Sequence, residues 1–83
     1  MPTVDEYKIG ILRQLAELNA QGHEPVLPLR TIPVDEAIRA VAELEVQGIL
    51  VFEEDSRACR LTEYGERVVD RLIAELEIKQ KRR

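Results

Sequence analysis

The chain has 83 residues, of which 45% are apolar and 34% charged, with a formal net charge of -4. That length holds one hydrophobic core, so residues 1–83 read as a single domain, too apolar to be disordered and too charged to be a membrane protein. No apolar run approaches the roughly 20 residues a bilayer requires, and the start MPTVDEYK lacks the basic beginning and apolar centre of a signal peptide, so a cytoplasmic protein without a membrane partner is expected.

The first predicted element is a helix from Val4 to Asn19. Val4, Tyr7, Ile11, Leu15 and Leu18 recur at steps of three and four, and Ile9, Leu12 and Ala16 form an adjacent stripe. A helix apolar over so much of its circumference needs more than one neighbour. Asp5 and Glu6 suit the positive end of its dipole, and Gly22 follows its end. The next stretch, GHEPVLPLRTIP, contains Pro25, Pro28 and Pro33 and cannot form a long regular helix. Val26, Leu27, Leu29 and Ile32 nonetheless tie it to a core, so it reads as a tethered connector with a short helical turn near Leu29 to Ile32. His23, in the turn-like QGHEP, reads as a solvated loop residue.

Pro33 then opens a second helix, with Asp35 and Glu36 in its first turn and Gly48 as terminator. Its inward stripe is predicted to be Val34, Ile38, Val41 and Leu44 or Glu45, with Ala37, Ala40 and Ala42 keeping the surface slim. Beyond Gly48 the period changes. Ile49 to Phe52 is a short β-rich run, EEDS is a polar turn, and in RACRLT the residues Cys59 and Leu61 alternate with Ala58, Arg60 and Thr62, which together predict a β-hairpin. Thr62 can cap a last helix from Glu63 to about Lys79, with Val69, Leu72, Ile73 and Leu76 as its stripe and Gly65 marking a close backbone approach. The fold class is therefore mainly α with a small β-hairpin, an α+β arrangement.

One cysteine and one histidine exclude an internal disulfide and the usual zinc ligand sets, so no metal is expected, and Cys59 reads as a small apolar residue on the inner face of its strand. A nucleophile with a base, a phosphate-cradling glycine loop and a metal cluster are all missing from the sequence. No catalytic residue and no cofactor are assigned, and an enzyme is not expected.

The stretch AIRAVAELEVQGILVFEEDSRACRLTEYGE, with LEVQGIL closing a helix, DSR near a hairpin tip and LTEYG returning to a helix, is similar to the second half of small winged helix-turn-helix transcriptional regulators. The resemblance covers residues 34 to 66 well and the rest of the chain loosely. It implies a winged-helix fold with a C-terminal helix, double-stranded DNA as partner, and a role in transcription regulation. Carried onto this sequence, the reading helix would turn Asp35, Glu36, Arg39, Ala40 and Glu43 outward. Arg39 would meet a base edge, and Arg30, Thr31, Arg57 and Arg60 would contact phosphates. Such regulators commonly pair through their terminal helices, which makes a homodimer through Tyr7, Ile11, Val69, Leu72, Ile73 and Leu76 the expectation.

Charge distribution supports a second reading. Only the final segment, residues 63 to 83, is net positive, with six basic and five acidic groups. Three of the five outward positions of the second helix are acidic, and the hairpin tip adds Glu53, Glu54 and Asp55, so little counterion release would reward DNA binding. On this reading the chain is an acidic winged-helix module that binds a protein partner. Arg39 then pairs with Glu36 or Glu43 along the helix, and Arg57 and Arg60 pair with Glu53 and Glu54 across the hairpin. The basic end KQKRR suits a helix C-terminus, where the dipole favours positive charge.

Overall fold

The structure, a computed structural model, describes residues 2–29 and 34–82. Six elements follow one another: α1 (Val4–Ala20), β1 (Val26–Pro28), α2 (Asp35–Val46), β2 (Leu50–Glu53), β3 (Ala58–Leu61) and α3 (Glu63–Lys81). Three helices and a small antiparallel sheet of order β1-β3-β2 make a small α+β fold. Ile9, Leu12, Leu15, Val41, Leu44, Leu50, Cys59, Leu61 and Val69, drawn from all three helices and both hairpin strands, lie in one hydrophobic cluster. Among the described residues, no helix is long and apolar enough to cross a membrane.

Local chemistry sets the ends of these elements. At the start of α1 the Thr3 hydroxyl oxygen accepts the Glu6 N–H at 3.2 Å, and the Glu6 carboxylate accepts the Thr3 N–H at 3.3 Å, a reciprocal capping box. The T-x-x-E spacing was the signal for it in the sequence. Both α1 and α2 end in the same way. Gly22 and Gly48 take positive φ (82° and 78°), and the following N–H groups of His23 and Ile49 reach back to Leu18 O and Leu44 O at 2.9 and 3.0 Å. At α3, Thr62 Oγ1 accepts the Gly65 N–H at 2.9 Å, as its position in the sequence predicts.

The proline-rich segment differs from its expected form. Val26, Leu27 and Pro28 make a third strand, paired antiparallel with Arg60, Cys59 and Ala58, where only a connector was expected. Pro28 is tolerated because β1 is an edge strand. Leu29 is described and is not helical, and the rest of the turn expected near Leu29 to Ile32 lies outside the described residues; α2 begins at Asp35, after Val34 as an extended N-cap, rather than at Pro33.

The orientation of α2 also differs. Ala37, Ala40, Val41 and Leu44 are buried, whereas Ile38 is 50% exposed and Ala42 faces solvent. Ala40, expected to point outward, is completely buried. The rotation follows from packing: the two small side chains at 37 and 40 let α2 approach its neighbours closely, and the larger Ile38 is displaced to the surface. Gly65 behaves as expected, since a Cβ built on it would fall 2.1 Å from the carbonyl oxygen of Ile49. The first turn of α3 therefore rests directly on the backbone between α2 and β2.

Candidate protein-docking face on α2 and β2

The sequence reading spread its site residues over α2, the hairpin and the connector. Arg39 is exposed on α2, and its guanidinium lies 3.8 Å from Glu43 one turn on, the pairing expected for adjacent charges on a helix face. Arg60 Nε donates to Glu53 Oε1 at 3.2 Å across the hairpin, and a second guanidinium nitrogen lies 3.9 Å from Glu24. Arg57 is exposed at the hairpin tip with φ 52° and joins no ion pair among the described residues. Arg30 and Thr31 lie outside the described residues. Of Arg39, Arg57 and Arg60, two are thus already matched by carboxylates.

Of the residues expected at a dimer interface, Ile11, Val69 and Leu76 are buried within the chain's own core. Tyr7, Leu72 and Ile73 are half-buried and retain some surface. α1 packs against both α2 and α3, and Ile9, Ile11, Leu12 and Leu15 are buried there.

Sequence reasoning missed the polar seam joining the helices. Lys8 is only 7% exposed, yet it belongs to the same helical face as Leu12 and Leu15. Its ammonium contacts Glu43 on α2 at 2.6 Å and lies 3.9 Å from Asp5, which in turn meets Lys79 of α3 at 3.3 Å. A lysine inside an apolar stripe, with an aspartate one turn earlier, was the available signal. The hydrogen bond from Lys8, with the ammonium's charge, holds the Glu43 carboxyl below its ordinary value. Arg13 and Glu77 form a further ion pair between α1 and α3.

A shallow groove of about 220 Å³ lies between α2 and β2, lined by Ile38, Val41, Ala42, Glu45 and Phe52. On the other side of Ala42 a second depression of about 250 Å³ is bounded by Glu43, Val46 and Gln47. Ile38 is half-exposed at the first depression and Val46 is 88% exposed at the second, so this stretch of α2 presents apolar surface at both. Glu45 Oε2 accepts the backbone N–H of Phe52 at 3.3 Å, fixing one carboxylate at the wall of the first groove. The charges on α2 and β2 are Asp35, Glu36, Glu43, Glu45 and Glu53 against Arg39 alone.

Cys59 is completely buried opposite Leu27 and Phe52, as expected of the inner strand face. Burial, with a smaller contribution from the charge on Glu45, pushes its thiol up to about 11, which leaves it a packing residue at neutral pH. Among the described residues, no group of three His, Cys, Asp or Glu side chains is placed to hold a metal ion. Comparison with protein-family models, curated proteins and solved structures finds no match to this chain.

Proposed function

We propose that this chain is a winged-helix module that binds a protein partner through α2 and the β2–β3 hairpin. The winged-helix part of the reading rests on the resemblance across residues 34 to 66, and the small α+β fold with β3 between β1 and β2 is the frame it is placed on. The observation that carries the function is electrostatic: α2 and β2 hold five carboxylates and one guanidinium, and with Glu43 matched by Lys8 and Arg39 and Glu53 by Arg60, Asp35, Glu36 and Glu45 join no ion pair among the described residues. A duplex brought to this face would meet like charge with few cations to displace counterions. A basic protein surface would meet complementary charge around apolar depressions.

DNA binding is the second reading, favoured by the resemblance across residues 34 to 66 and by the exposed Arg57 at the hairpin tip. In that reading Arg39 reaches a base edge, and Arg30, Thr31, Arg57 and Arg60 touch phosphates, with the chain acting as a small transcriptional regulator. Fluorescence anisotropy with random-sequence duplex DNA at low and then moderate salt separates the two. The protein-binding reading expects no salt-sensitive binding. An affinity that falls steeply with added salt would overturn it in favour of DNA.

A further inference from the structure

Resting on the protein-binding reading, we infer that the two depressions flanking Ala42 form one docking site for a short basic segment, which places a large apolar side chain in each. The size of the depressions argues for side chains rather than a whole small molecule. At about 220 and 250 Å³ each falls below the roughly 300–1,000 Å³ of typical ligand pockets. Ala42 lines both and has only a methyl group, so it forms a low saddle over which a chain can pass while its side chains enter on either side.

Charge selects the occupant. Glu45 stands in the wall of the first depression and Glu43 in that of the second, while Asp35 lies one turn before Ile38. Glu43 already meets Lys8 at 2.6 Å through one oxygen and Arg39 at 3.8 Å through the other, so Glu45 and Asp35 are the carboxylates left for an incoming cation. An acidic segment would bring like charge up to Glu45 and Asp35, which join no ion pair among the described residues. A segment rich in lysine or arginine offers Glu45 and Asp35 a partner at the rim of the contact, where such pairs guide association and fix register. The occupant is therefore a partner segment with two large apolar residues among basic ones.

The test uses the full chain and a displayed library of random twelve-residue peptides. Enriched peptides should carry net positive charge and two large apolar residues. The best of them, synthesised with a fluorescent label, should bind at least tenfold more weakly to Ala42→Arg and to Val46→Ser. Both substitutions are at exposed positions, and circular dichroism melts would confirm that the variants remain folded. If enriched peptides bind both variants as tightly as the parent, the docking site is wrong while protein binding stands. If no peptide is enriched the inference fails, and salt-sensitive binding to random duplex DNA would then remove the protein-binding reading as well. Sedimentation showing self-association of the parent that Ala42→Arg abolishes would assign the site to a second copy, against the inference.

Discussion

Replacing Gly65 with alanine tests how tightly α3 rests on the α2–β2 junction. A Cβ at residue 65 would lie 2.1 Å from Ile49 O, 3.0 Å from Ile49 C and 2.9 Å from Leu61 Cδ1. Carbon and carbonyl oxygen settle at about 3.3 Å or more, so roughly 1.2 Å of displacement is needed. The leucine methyl can move, but the carbonyl is held: Ile49 O accepts the Thr62 N–H at 3.1 Å, and Thr62 Oγ1, which donates to Gly48 O at 2.6 Å, lies 3.1 Å away. Overpacking of this kind costs about 1–3 kcal/mol, and loosening a cap hydrogen bond adds about 1 kcal/mol. Alanine returns about 1 kcal/mol through its better helix propensity. The net loss should be about 2 kcal/mol, a fall in Tm of roughly 10 °C for a domain of this size. Urea and thermal unfolding of Gly65→Ala would measure it beside Gly10→Ala, where nothing lies within 4 Å of the added methyl. Gly10→Ala should be neutral or stabilising by up to about 1 kcal/mol. A Gly65→Ala protein as stable as the parent would refute the close-contact argument.

Three further outcomes can be measured. Thr62→Ala removes both the α3 cap and the hydroxyl bond to Gly48 O, and should lower the unfolding free energy by about 1–2 kcal/mol in urea titrations. Because the folded Glu43 carboxyl lies below its ordinary value of 4.5, its contribution to stability is present above that pH and is lost as pH falls through the folded value. Glu43→Gln should therefore flatten the acid side of a stability-versus-pH curve, and an unchanged slope would count against the Lys8 contact. Cys59, buried and pushed up to about 11, should resist iodoacetamide at pH 8 in the native protein and react on unfolding in urea; rapid native labelling would contradict its burial.

The helices were legible because periodicity and capping chemistry are local. Val4 to Leu18 spells out its own stripe, and Thr62 followed by Gly65 and a charged first turn announces α3. What escaped was set by partners distant in sequence. Val26, Leu27 and Pro28 carry no alternation long enough to mark a strand; they become β1 because Cys59 and its neighbours offer a ladder more than thirty residues later. In α2, two adjacent faces were both apolar, and side-chain size pointed to Ile38 as the buried member. Ala37 and Ala40 occupy that place because the approach of a neighbouring helix favours small residues, a distance that the local pattern does not encode. Charge was legible as a bias, but the pairing of Lys8 with Glu43 depended on how α1 and α2 meet.

The carboxylate of Glu45 has a further consequence for the sheet. β2 is an edge strand, and a free edge is a template on which another chain can extend the ladder. By accepting the Phe52 N–H, Glu45 occupies a donor that such an incoming strand would use. The side chain thus acts as a stopper against strand-by-strand growth. Removing it would leave the outward Phe52 N–H on the β2 edge without that acceptor.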